Sequence, residues 1–128
     1  MKLLLDTHAL LWWLDGDDRL SRISRELLAE ESNLALVSAA SAWEIATKVR
    51  IGKLPGAVEV AERFVEVVKA QDFGFLSISA EHAQRAGLLP GEHRDPFDRM
   101  LIAQAQVEGL ALVSNEKLFD QFGVRRIW

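Results

Sequence analysis

Met1-Lys2-Leu3-Leu4-Leu5-Asp6-Thr7-His8 carries an unbroken apolar run that stops at an acid. Such a run, with no polar alternation, predicts a short strand buried on both faces. Its last residue is then Asp6, at the carboxyl end of the strand. In an open α/β sheet, ligands and metals bind in the crevice beyond those ends. An ionised carboxylate there is costly to desolvate unless positive charge meets it.

Working outward, Leu34-Ala35-Leu36-Val37, Phe75-Leu76-Ser77-Ile78 and Leu110-Ala111-Leu112-Val113 read as three further strands, with a last one in Val124–Trp128 at the sheet edge. Helical patterns fill the intervals. Thr7 is read as the cap of a helix through Ala9–Leu14 that ends at Asp15-Gly16. Another follows Ser21, with Ile23, Leu27 and Leu28 on its buried face. Ser38 or Ser41 opens a third, through Trp43-Glu44-Ile45-Ala46 and ending near Gly52. Leu54-Pro55-Gly56 is a turn, and 58–70 has helical periodicity. Ser79 starts a further helix, 88–97 is a loop punctuated by Pro90, Gly91 and Pro96, and a last long helix covers 98–108 before Gly109. Strands alternating with helices predict an α/β fold, one domain over 1–128, with a mainly parallel sheet covered on both faces. Trp12 and Trp13 are adjacent on a helix and are not expected to share one core; one of them marks either an interface or, the commoner case, a partly exposed core tryptophan.

Composition narrows the chemistry. The 128 residues contain no cysteine, which excludes disulfides, thiolate metal sites and cysteine nucleophiles. The three histidines lack the pairing of a zinc site. Asp6 and His8 interrupt the leucine-rich start, so it is not read as a signal peptide, and no run is long enough to span a membrane. A cytoplasmic location is expected. The net charge of −4 argues against capture of nucleic acid by the whole surface. Local basic groups remain at Lys48, Arg50 and Lys53, at Arg94 and Arg99, and at Arg125 and Arg126.

A parallel sheet would bring Asp6, Glu44 and Glu116 to one edge, within reach of Asp98 and Asp95 from the connecting loop. Carboxylates crowded there repel unless some are protonated or a cation is bound. Oxygen ligands suit Mg²⁺ or Mn²⁺, and such an ion supports phosphodiester hydrolysis. Each acid also has a bland explanation. Asp98 and Glu116 suit a first helical turn, Asp95 before Pro96 suits a turn, and Glu44 suits a solvated helix face. Asp6 is the hardest to explain away. No phosphate-binding glycine loop or Gly-x-Ser-x-Gly elbow is present.

Leu4–Trp12, Ser41–Ile45, His93–Ala105 and Leu112–Glu116 together resemble the PIN-domain family, specifically the VapC-type toxins of toxin–antitoxin pairs, and Val124–Trp128 resembles the family's usual ending. The resemblance implies a three-layer α/β/α sandwich and a Mg²⁺- or Mn²⁺-dependent endoribonuclease. The family's acids fall on Asp6, Glu44 and Asp98 as metal ligands, with Asp95 close by. A fourth, commonly aspartate, falls on Glu116, a departure in residue type. Thr7 takes the place of the family's small hydroxyl residue, and Asn115 lies beside the fourth acid. A VapB-like antitoxin that covers the groove, and a homodimer, are implied as partners. On this reading Arg94, Arg99, Lys48 and Lys53 are candidates to contact RNA phosphates. Two rivals stand beside it: a catalytically silent binding module on the same fold, and a metal-dependent phosphatase. Against an aspartyl-phosphate mechanism, His8 stands where a second aspartate would be needed.

Overall fold

The computed structural model describes residues 1–91 and 95–128. The described residues form a sheet of five strands: β1 (Lys2–Leu5), β2 (Leu34–Ser38), β3 (Gly74–Leu76), β4 (Ala111–Val113) and β5 (Arg126–Ile127). Their order is β3-β2-β1-β4-β5, and every pairing is parallel. Successive residues of β1 face opposite layers. Leu3 and Leu5 pack with Leu10 of α1 (Thr7–Asp15), Leu28 of α2 (Arg22–Ala29), Ile45 of α3 (Ala39–Arg50) and Val68 of α5 (Phe64–Ala70). Leu4 packs on the other side, with Leu101 and Ile102 of α7 (Pro96–Glu108). Between these lie α4 (Val58–Glu62) and α6 (Ala80–Leu88). Helices therefore cover both faces of a parallel sheet, the three-layer α/β/α arrangement expected.

The chain steps outward from β1 through β2 to β3 on one side, and reaches β4 and β5 on the other. The strand order thus reverses between β1 and β4, the kind of position where α/β sheets open a crevice beyond their carboxyl ends. Leu5 is in register with Val113, so the residues following them, Asp6 and Ser114, flank that crevice.

Several boundaries differ from the sequence reading. The cap of α1 is Asp6, not Thr7: Asp6 is extended and its carboxylate accepts from the His8 N–H at 3.3 Å. Helix α7 starts at Pro96, two residues early, because Asp95 caps it by accepting from the N–H groups of Phe97 (2.9 Å) and Asp98 (3.3 Å). Proline suits that first helical position, where no donor is needed. The helix foreseen over 58–70 is interrupted at Arg63, which leaves helical geometry at φ −125°. On α2, Ile23 is 57% exposed and Ser24 is buried instead, its hydroxyl bonded to that of Ser21. Strand β3 begins at Gly74, where an added Cβ would sit only 2.9 Å from Leu36 Cδ2. Trp12 and Trp13 both pack against the same core cluster. Trp12 meets Trp128 edge-on, and the Trp13 indole donates to Gln71 Oε1 at 3.0 Å. Among the described residues, no helix is long and apolar enough to cross a membrane.

Candidate active site

Asp6 is held at the switch point by the neighbouring strand β4 and the residue after it. Its N–H donates to the Val113 carbonyl at 2.9 Å, continuing the β1–β4 ladder by one residue. Its Oδ2 accepts from the Ser114 hydroxyl at 2.5 Å. Ser114 is fully buried, and its Oγ in turn accepts from the Glu116 N–H at 3.0 Å. Burial pushes the Asp6 carboxyl above the usual carboxylate range, and the Glu44 charge adds to that. The Ser114 hydroxyl, His8 charge and His8 N–H act the other way. Ser114 is the site residue that the sequence reading overlooked in favour of exposed Asn115. The available signal was topological: a hydroxyl residue directly after the strand that neighbours β1.

Glu44 is not a solvated helix residue. It lies in the second turn of α3, 3% exposed, facing inward at the end of β2. Helix α3 is aimed by its cap, Ser38, whose hydroxyl accepts from the Ala40 N–H at 3.0 Å. Thr7 and Ser41, both buried, share a hydroxyl hydrogen bond of 2.9 Å that ties α1 to α3. Thr7 thus braces the two helices bearing Asp6 and Glu44. The Glu44 carboxylate accepts from the Lys48 ammonium one turn on.

Asp98 gathers the electrostatics of the site. Its carboxyl is pushed up to about 8, first by burial and then by the charges of Asp95, Asp6, Glu44 and Glu116. Four other acids therefore act on one group, which is the convergence anticipated from topology. Asp98 is only partly enclosed, so solvent reaches the cluster. Glu116 caps the following 3₁₀ turn, accepting from the Leu118 N–H at 3.3 Å, and is half-buried. Lys48 is opposed by its own burial, yet its ammonium is held above the ordinary range by the Glu44 bond and the charges of Asp95 and Asp98.

The donors are all carboxylate oxygens, which fits a hard divalent cation and leaves no imidazole for zinc. Excess negative charge is the property such an ion would relieve. Among the described residues, no three acids or histidines form a ready-made cluster of metal ligands as they stand. Two of the candidates are engaged elsewhere, Asp6 with Ser114 and Glu44 with Lys48.

The basic candidates divide. Arg99 ties α7 to the end of α6, donating to the Ala86 carbonyl at 3.0 Å and to that of Leu89. Lys53 is exposed beyond α3. Arg94 lies outside the described residues. Arg126, met in the sequence only as part of a basic pair, donates to the Ser114 carbonyl at 3.1 Å and pairs with Asp120. Trp43 and Phe97, the residues before Glu44 and Asp98, meet edge-to-face at 4.9 Å, with Trp43 62% exposed.

An all-parallel α/β/α sheet with acids converging at its switch point defines the class of protein. The PIN-domain profile matches residues 3–124, and the chain belongs to the PIN-domain family. Solved structures agree on the fold. It resembles VapC20 of Mycobacterium tuberculosis, a sarcin-ricin loop cleaving toxin, at 12% identity and TM-score 0.71, covering 95% of each chain. VapBC2 from Rickettsia felis, bound to a promoter DNA fragment, aligns at 17% identity and TM-score 0.66 over 99% of this chain and 98% of that one. FitAcB from Neisseria gonorrhoeae aligns at 17% identity and TM-score 0.61, over 98% and 96%. Among curated proteins, none matches the chain in sequence.

Proposed function

We propose that this PIN-domain protein is a divalent-metal-dependent endoribonuclease that acts as the toxin of a VapBC-type pair. The observation that supports the reading is the placement of Asp6, buried Glu44, the Asp95–Asp98 helix start and Glu116 at one edge of a parallel sheet, near enough for the other four acids to act on Asp98. A fold does not require such a repulsive cluster, and a bound cation would make it favourable. Asp6, Glu44 and Asp98 would hold Mg²⁺ or Mn²⁺, with Glu116 and Asp95 adding negative charge at the rim.

The chemistry such an ion supplies is activation of water and neutralisation of charge on the attacking and leaving oxygens. The chain's own part is positioning. Ser114 and the Val113 carbonyl fix Asp6. The Thr7–Ser41 bond fixes the angle between α1 and α3, and Asp95 fixes the first turn of α7 that presents Asp98. The crevice is negative, so an RNA strand would approach through cations at its margin, and exposed Lys53 is suited to that role. Single-stranded or looped RNA is the favoured substrate, because its backbone can bend into a narrow groove.

The antitoxin half of the proposal draws on VapBC2 and FitAcB among the structural relatives. The exposed Trp43, edge-to-face with Phe97 beside the acids, is surface that a protein partner would cover. A homodimer in a cytoplasmic setting completes the reading.

The test is cleavage of labelled single-stranded RNA by purified protein with Mn²⁺ or Mg²⁺, beside EDTA and Asp6→Asn. Cleavage lost in both controls is expected. Cleavage that survives EDTA or Asp6→Asn would overturn the mechanism. A folded protein that neither cleaves RNA nor binds metal would favour the silent binding module.

A further inference from the structure

Lys48 stands among the acids without a role in the mechanism above. It lies one helical turn after Glu44, and its ammonium donates to Glu44 Oε2. The Lys48 side chain is 28% exposed, against 4% for Glu44, so its charged end reaches inward from the rim. Its charge acts on Asp95 and Asp98 as well as on Glu44. An exposed i,i+4 pair on a helix surface is a weak and dispensable contact. This pair differs because its acid is buried and is one of the proposed metal ligands.

An ammonium is a compact, mobile point charge on a flexible stem. A divalent ion on Glu44 would need the same carboxylate oxygens and would repel the ammonium at contact distance. The two cations therefore exclude each other at Glu44. Resting on the metal-site reading above, we propose that Lys48 is a tethered counter-ion that competes with the divalent cation for Glu44, raising the metal concentration the site requires. With metal scarce, Lys48 keeps the buried carboxylate paired and the acids apart. With metal bound, its ammonium is released at the rim of the crevice.

The experiment is calorimetric Mn²⁺ titration of the wild type, Lys48→Met, Lys48→Arg and Asp6→Asn, without RNA. Lys69→Met, on α5, controls for net charge, and Lys48→Gln replaces Lys48→Met if the latter does not fold by circular dichroism. Removal of the charge at 48 is expected to tighten Mn²⁺ binding about tenfold or more. Lys48→Arg, which keeps a cation, should stay near the wild type, as should Lys69→Met. Unchanged or weaker binding in folded Lys48→Met, with wild-type binding that is lost in Asp6→Asn, would overturn the competition and leave the metal site standing. Absence of Mn²⁺ binding in the wild type and in Lys48→Met alike would overturn both. Binding that appears only once the lysine charge is gone would support the inference directly.

Discussion

Among the described residues, one polar region is buried and another, only partly enclosed, is built on the opposite principle. At one, the buried hydroxyl of Ser38 donates to Gln104 Oε1 at 2.5 Å, and Gln104 Nε2 donates to the Ser77 carbonyl at 3.3 Å and to His82 Nδ1 at 3.4 Å. His82 Nδ1 also accepts from the Ser79 N–H at 3.0 Å, which leaves the ring proton on Nε2, facing Glu108 Oε1 at 2.9 Å. Every donor there meets an acceptor, and the network joins β2, α6 and α7. At the other, four carboxylates act on Asp98, and Lys48 is the cation beside Glu44, Asp95 and Asp98. The first region is complete in itself and stabilises the fold. The second carries an excess of negative charge, which the proposed cation would relieve.

The contrast can be broken from either end. Asp6→Asn should abolish metal-dependent RNA cleavage to background and leave the circular dichroism spectrum and melting point nearly unchanged; parallel loss of fold would mean that Asp6 is structural. Gln104→Leu should do the reverse. It removes the acceptor of the Ser38 hydroxyl proton and the amide bonds to the Ser77 carbonyl and His82 Nδ1, which costs roughly 2–3 kcal/mol, or roughly 8 °C in Tm, with cleavage retained in the folded fraction at low temperature. Ser114→Ala lies between the two, since it frees the Asp6 carboxylate without removing it. An approximately 10–100-fold loss in metal affinity or activity is expected, and kinetics across a Mn²⁺ series would separate the two.

The raised Asp98 carboxyl gives the gentlest test. With a folded value of about 8 against an ordinary 3.8, the metal-free folded protein holds a proton there that the unfolded chain has lost. Its contribution to stability is therefore present at low pH and declines as pH rises from about 4 towards 8. Asp98→Asn should flatten that part of the pH–stability curve, measured by thermal melts in EDTA. Metal binding must expel the same proton, so wild-type Mn²⁺ affinity should rise by up to about tenfold per pH unit below 8. Equal affinity at pH 6 and 7.5 would contradict this.

Much of this was legible in the chain. The apolar runs of β1, β2 and β4 are continuous because both faces are covered, and that continuity predicted the parallel sheet. The convergence of Asp6, Glu44 and Asp98 followed from strand ends sharing one edge. Boundaries were harder wherever two residues compete for one job. Asp6 and Thr7 can each cap α1, and the residue just after the strand wins because its backbone is still extended. Asp95 and Asp98 can each start α7, and the proline between them decides in favour of Asp95. The partnership of Ser114 with Asp6 depends on which strand neighbours β1, and that of Lys48 with Glu44 on which helix face turns inward. Neither is a property of a local stretch of sequence.

The hydrogen bond between Ser114 and Asp6 spans 108 positions along the chain. It therefore cannot form before Ser114 has been synthesised. A polypeptide still emerging, or one interrupted before β4, has Asp6 and Glu44 in hand but lacks the strand that orients the first of them. The seat of Asp6 at the switch point therefore cannot precede β4, so the order of translation itself delays its final placement.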